Sequence, residues 1–327
     1  MTAAVSAERI LKDLHALWAS LADEREPHAV LRACALTVIV LTEEPEGAAD
    51  TAQTLARLMR DHPNRAVVVR VGDTTLDYHV TAQCWMPFGQ HRQICCEQIE
   101  VAAADATLPD AVPVLLAIAA PDLPLAVWCR SPRLASLPAL AALFARADLV
   151  VLDSRDFADA HPALDLLARA SARSRGRLAD LAWTAVTRWR EIVAEIFEDP
   201  ARRALIPRIR HLRVLHSPAA VPPTAYYLAA WVLAALGRQD VEVRFEALAP
   251  SDGGIQGIVL GSESETVSIL RVEGTAILIE IGPLKSCTAA PRLDQAELLG
   301  RELSIAGRDP LFEQVLPIAA RLSSERK

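Results

Sequence analysis

Two rhythms of apolar residues divide the chain. One repeats at helical spacing: Ile10, Leu14, Leu17, Trp18 and Leu21 predict an N-terminal helix. The other is a run at 36–41, apolar but for Thr37, which predicts a buried strand followed by a loop at 43–47. AADTAQTLARLMRDHP returns to the helical rhythm through Leu55, Leu58 and Met59 and stops at His62 and Pro63. RAVVVRV is a further strand. A strand–helix–strand unit of this length accommodates a right-handed crossover between parallel strands.

LDYHVTAQCWMP (76–87) and QICCEQIEVAA (93–103) carry an alternating pattern and are joined by the short loop FGQHR. They read as an antiparallel pair added to the sheet. DAVPVLLAIAAP predicts a helix with an internal proline. DLPLAVWCRSP predicts a strand, LPALAALFARA a helix, DLVVLDS a strand and HPALDLLARASA a helix. That alternation belongs to a layered α/β domain. SARSRGRLAD (171–180) is polar and basic and contains a glycine, so a linker is expected there. The expected domains are 1–172 and 180–327.

In DLAWTAVTRWREIVAEIF (180–197), Val186, Trp189, Ile192, Val193, Ile196 and Phe197 share one arc of a single amphipathic helix. Arg190 sits at the rim of that arc, beside Trp183. RIRHLRVLHSP predicts a strand, and PPTAYYLAAWVLAALGR a helix with proline at its start and Gly237 near its end. VEVRFEAL, IQGIVLGS, TVSILRV and TAILIEIG then form an antiparallel meander, and LDQAELLGRELSI and LFEQVLPIAARL are closing helices. The expected fold class is α/β: two layered α/β domains, with a mixed sheet in the first and a smaller α/β domain with an antiparallel meander in the second.

Composition narrows the function. Of 327 residues 52% are apolar, enough for two cores. The net charge of −7 argues against a nucleic-acid binder and against an electrostatic membrane anchor. No apolar run approaches the ~20 residues of a membrane span. A cytoplasmic protein with no nucleic-acid or membrane partner is expected. The six cysteines are not expected to form a disulfide framework in so long a chain. Cys34, Cys129 and Cys287 read as buried free thiols. Cys95 and Cys96 are adjacent in a strand and point to opposite faces, so with His79, Cys84 and His91 they read as strand residues, not as a metal site.

The chain has no G-x-G-x-x-G after a strand, no phosphate-binding G-x-x-x-x-G-K-[ST], no G-x-S-x-G and no H-E-x-x-H, so no cofactor and no catalytic residue are assigned. Strand ends are where an open α/β sheet gathers ligands. Here they supply Thr42, Glu43 and Glu44, then Trp128 and Arg130, then Asp153 and Ser154. These groups form either a polar rim for a ligand or partner, or a salt bridge and a helix cap. Arg190 likewise is either a long side chain whose head reaches Asp180 or water, or half of an Arg–Trp surface patch.

QICCEQIEV, PDLPLAVWCRSP, DLVVLDSRDF and DLAWTAVTRWRE, in this order and spacing over roughly residues 30–250, resemble the OpcA family of glucose-6-phosphate dehydrogenase assembly proteins. The family has two tryptophans after the D-L-P strand; this chain has Trp128 and Cys129. The resemblance implies a two-domain protein without catalysis of its own. Such a protein binds glucose-6-phosphate dehydrogenase, favours its active oligomer and raises flux into the oxidative pentose phosphate pathway. Trp128, Arg130, Asp153, Ser154, Trp183 and Arg190 are the expected partner-binding residues. The alternatives are a sugar-phosphate enzyme, or a sugar-phosphate or nucleotide sensor, built on the rim Arg130/Asp153/Ser154.

Overall fold

A computed structural model describes residues 5–23, 30–43, 48–72, 75–86, 93–173, 175–217, 220–238, 240–248, 253–262 and 265–325. Glu44 and His91, named above, and positions 44–47 of the expected loop lie outside these residues. The chain forms two units, each an α/β layer. The first comprises residues 1–152, 174–179 and 295–308; the second comprises 153–173, 180–294 and 309–327. Neither unit is one continuous stretch.

The first unit is built on eight strands: β1 (Val30–Arg32), β2 (Leu36–Glu43), β3 (Asn64–Val71), β4 (Asp77–Trp85), β5 (Gln93–Ala103), β6 (Leu125–Cys129), β7 (Leu149–Leu152) and β8 (Arg177–Asp180). Their order is β1-β5-β3-β2-β6-β7-β8, with β4 also paired to β5. The pairs β1–β5, β3–β5, β2–β3, β2–β6 and β6–β7 are parallel, and β4–β5 is antiparallel, as the alternating pattern predicts. Val38, Ile39, Val40 and Leu41 in β2 are fully buried, so both faces of that strand are covered. The helices include α1 (Ala7–Asp23), α2 (Ala48–Asp61) and α3 (Leu108–Ile118), the last carrying Pro113 inside it. Ile10 and Leu14 anchor α1, and Leu55, Leu58 and Met59 anchor α2.

Two expectations fail in this unit. The 171–180 stretch is no linker: β8 occupies its end and every one of its residues is buried. Arg177 lies there because Glu302, on the helix Gln295–Ser304, pairs with it at 2.6 Å. A charge can enter a core when an opposite charge meets it. The cysteines also differ. Cys84 and Cys95 stand opposite each other in the β4–β5 register, with Cα atoms 4.1 Å apart, and form a disulfide. An antiparallel pair brings two facing side chains that close, which a reading of each strand alone does not show. Cys96 points away from that pair and is buried; burial pushes its thiol up to about 11, so it stays protonated. Cys129 is buried as expected, Cys34 is half-buried and Cys287 is exposed.

The second unit holds α4 (Ala160–Arg173), α5 (Leu181–Ala185), α6 (Thr187–Glu198), α7 (Pro223–Leu236) and α8 (Pro310–Ser324). Its sheet contains β9 (His211–Ser217), β10 (Glu242–Ala247), β11 (Gly254–Gly261), β12 (Thr266–Arg271), β13 (Ala276–Ile281) and β14 (Leu284–Ala289), ordered β10-β9-β11-β12-β13-β14. The meander is real from β11 to β14, whose neighbours are antiparallel. β10 departs from it: the chain returns through α7 and β10 lies parallel to β9. β14 is a strand beyond the four expected runs. The single helix expected at 180–197 is broken at Val186 (φ −91°, ψ 2°) into α5 and α6.

The sheet's two faces differ. Val214, Ile258 and Ile269 are register neighbours and are fully buried. One position along, Arg213 is exposed and Ser268 half-exposed. α7 packs against β9, β11 and α8. It is apolar nearly all round and buried from Pro223 to Ala230, which is why its sequence shows little amphipathic rhythm. Gly237 ends it at φ 62°, the left-handed turn its position predicts.

Candidate functional site

The strand-end rim of the first unit is built where β2 and β6 end beside α2. The Arg130 main-chain N–H donates to the Leu41 carbonyl at 2.9 Å, which fixes the residue just past β6. Its guanidinium then turns to the start of α2. There it pairs with Asp50 at 2.6 Å and donates to the Thr51 hydroxyl. It also lies 4.9 Å from the centre of the Trp128 ring, which is buried. On the same rim Glu43 accepts from Ser131 and Arg133, and Arg133 reaches Asp105 at 2.6 Å. Partial burial works to raise the Glu43 carboxyl, but the hydrogen bonds from Ser131 and Arg133 hold it below its ordinary value. The charges of this rim answer one another.

Asp153 and Ser154 belong to the second unit, where they meet Asp180. Asp153 accepts from the Arg155 side chain at 2.8 and 2.5 Å and from its main-chain N–H at 3.1 Å. Ser154 is fully buried, and its main-chain N–H donates to Asp180 at 2.9 Å. Asp180 also caps α5 through the Ala182 N–H at 3.0 Å and accepts from the Tyr227 hydroxyl at 2.7 Å. It is wholly buried. Desolvation first, and the nearby Asp153 charge second, push its carboxyl up to about 6, against hydrogen bonds that favour the anion. Burial and the same carboxylate raise the Tyr227 hydroxyl well above its usual value.

Trp183 and Arg190 are joined to this cluster. The Trp183 ring is 2% exposed and sits among Tyr227 and Phe312, at centroid distances of 5.8 and 6.0 Å. Its indole N–H donates to Asp309 at 3.0 Å. Arg190 lies with its guanidinium carbon 3.6 Å from the Trp183 ring centre and donates to Thr187 at 2.9 Å. The cation between aromatics is therefore a stacking partner: the broken helix swings Arg190 over the ring on α5. The structure brings Asp153, Ser154, Trp183 and Arg190 into one unit, and Trp128 and Arg130 into the other.

A further feature escaped the sequence reading. A cleft of about 910 Å³ opens within the second unit, lined by Arg155, His161, Trp189, Thr224, Arg271 and Arg292 among others. Its signals in the sequence are the pair Pro222-Pro223 ahead of a helix and the pair Gly253-Gly254 ahead of a strand. Neither matches a familiar motif. Among the described residues no group of three or more His, Cys, Asp or Glu could hold a metal ion, and no helix is long and apolar enough to cross a membrane.

Comparison with known proteins places both units. A family model described as the glucose-6-phosphate dehydrogenase subunit N-terminal domain matches residues 55–169, and one described as the C-terminal domain of the same subunit matches 177–316. A protein named OxPP cycle protein OpcA from Synechocystis sp. is 25% identical over 272 residues, covering 70% of this chain and 56% of its own. Its namesake from Nostoc punctiforme is 28% identical over 270 residues, covering 70% and 57%. The chain thus spans about half the length of the curated relatives it matches. Among solved structures, a dehydrogenase from Chromobacterium violaceum is similar with a TM-score of 0.49 at 14% identity, over 90% of this chain and 94% of that one.

Proposed function

The chain belongs to the OpcA family of glucose-6-phosphate dehydrogenase assembly proteins, and from that membership we propose that it is a non-catalytic assembly factor and allosteric activator of glucose-6-phosphate dehydrogenase, acting in the cytoplasm. The observation that carries this reading is the pair of family-model matches, one over 55–169 and the other over 177–316. The side-chain chemistry supports it. At the rim of the first sheet each cation already meets an acid, and Asp180, the acid most raised toward neutrality, is spent capping a helix and holding Tyr227. The rival rim of Arg130, Asp153 and Ser154 is less well supported, because Asp153 is held by Arg155 and Ser154 is fully buried.

An activator shifts its partner only if it binds one oligomer more tightly than another. A coupling of about 1–3 kcal/mol gives a roughly 5–150-fold preference. We propose that Trp128, Arg130, Asp153, Ser154, Trp183 and Arg190 serve this contact by fixing the surface around them. Arg130 does so by tying β6 to the start of α2, and Arg190 by tying α6 to α5.

The test mixes the protein with the dehydrogenase from its own organism and follows complex size by light scattering alongside specific activity. A shared peak and a rise in specific activity are expected. Separate peaks with unchanged activity would overturn the reading, as would turnover of glucose 6-phosphate by the protein alone.

A further inference from the structure

The cleft in the second unit has a charge its surroundings do not predict. The whole chain is acidic, at −7, yet four arginines (Arg155, Arg188, Arg271 and Arg292) and His161 line this cleft against one carboxylate, Asp159, among the described residues. Arg155 and Arg188 turn to acids of their own elements: Asp153 for the first, Glu191 and Glu195 for the second. Arg271 is held differently. It lies 5.6 Å from the Trp189 ring centre and donates to the main-chain oxygens of Gly274 and Ala290 at 2.9 and 3.1 Å. Arg292 is exposed on the cleft wall.

The head of α7 opens onto the same space. This helix runs for 14 residues, and its N-cap, Pro222, supplies no side-chain hydrogen bond to the first turn. Pro222 and Pro223 carry no main-chain N–H and the Ala225 N–H is taken by the Pro222 carbonyl at 3.0 Å, so of the first turn's main-chain donors Thr224 remains. Thr224, in that first turn, lines the cleft and is only 7% exposed, yet its hydroxyl oxygen makes no hydrogen bond to any described residue. A buried hydroxyl without a partner costs stability, and a ligand oxygen would satisfy it. Gly253 and Gly254, which also line the cleft, take φ of 82° and 75° in succession, a left-handed pair without side chains.

The Thr224 main-chain N–H and hydroxyl in the first turn of α7, with the guanidinium groups of Arg271 and Arg292 lining the same cleft, together match a tetrahedral dianion, whose several oxygens accept from donors of different kinds at once. We propose that this cleft binds a small phosphate monoester, with the phosphate at the head of α7, accepting from Thr224 and drawn in by Arg271 and Arg292. At about 910 Å³ the cleft has room for the organic part of such a molecule as well. The site stands on the second unit alone and holds whether or not the protein activates a dehydrogenase.

The test measures thermal unfolding and titration calorimetry of the full chain with inorganic phosphate, glycerol 3-phosphate and glucose 6-phosphate, and with glucose and succinate as controls. At least one phosphate monoester should raise Tm and bind with a 1:1 stoichiometry, while glucose does neither. Thr224→Val removes the unsatisfied hydroxyl and keeps the shape; Arg292→Ala removes an exposed cation. Neither should lower the Tm of the free protein appreciably, and each should weaken binding about tenfold or more. Three results would overturn the assignment: no phosphate compound of the set binds, succinate binds as tightly as the phosphates, or both variants bind like the wild type.

Discussion

Glu97 and Glu302, in the first unit, are 2% and 3% exposed, and each meets a guanidinium: Glu97 meets Arg65 at 2.6 Å and Arg32 at 2.5 Å, and Glu302 meets Arg177 at 2.6 Å. Asp180, in the second, is at least as buried and is held by two main-chain N–H groups and a phenol, beside the Asp153 carboxylate. The first arrangement meets each buried carboxylate with guanidinium; the second holds a buried carboxylate on dipoles. The difference teaches that removing a group should act in opposite directions. Removing the guanidinium in the first unit leaves a carboxylate buried without its counter-charge, and removing the carboxylate in the second relieves a buried charge.

The largest effect is expected at Arg177→Met, which strands Glu302 and should cost about 3–5 kcal/mol in urea unfolding. Adding Glu302→Leu should recover most of that loss; if the double variant is as unstable as the single one, the pair is not what Arg177 supports. Next comes Asp180. Its folded-state value of about 6 lies above its ordinary 3.8, so the native state keeps its proton to higher pH than the unfolded chain does. Its contribution is therefore most favourable below about pH 4, declines as pH rises and levels off above about pH 6. The span amounts to roughly 3 kcal/mol at 1.36 kcal/mol per unit. Asp180→Asn should flatten the pH dependence of stability between pH 4 and 7, and an unchanged slope would remove Asp180 as its source.

Smaller effects sharpen the contrast. Arg190→Ala forfeits the stacking on Trp183 and should cost about 1–2 kcal/mol, with Arg190→Lys in between. If activation of the dehydrogenase falls by more than this loss of stability explains, Arg190 also shapes the contact surface. Arg213→Ala, on the exposed face of β9 where Arg213 pairs with Glu246 at 3.3 Å, should move stability by no more than about 0.5 kcal/mol.

The same contrast explains what could be read in the residues and what could not. Strands such as β2 and β3 announce themselves because burial on both faces makes a nearly unbroken apolar run, and β4–β5 because alternation survives. β8 was hidden by Arg177, since a charge in a short stretch signals solvent unless its partner is known, and that partner lies 125 residues away. The α5–α6 break was hidden because both halves keep their apolar arcs; only the Val186 backbone and the capping role of Asp180 mark the joint. Of the site residues, helical spacing sets Arg190 beside Trp183, but the ring is buried and not part of a surface patch; the strand end sets Trp128 and Arg130 close together without announcing their stack. The cleft was not foreshadowed, because Arg271, Thr224 and Arg292 come from three elements that the sequence keeps apart.

The interleaved order of the two units has a consequence for synthesis. The first sheet receives its edge strand β8 only after residues 153–173 have gone to the other unit, and the partner that neutralises Arg177 comes later still, at Glu302. While the ribosome is still at work on the second unit, Arg177 has no acid to meet and the first unit lacks its last helix. Completion of the first unit therefore waits for a segment made after most of the second, and a single proteolytic nick does not separate the two units.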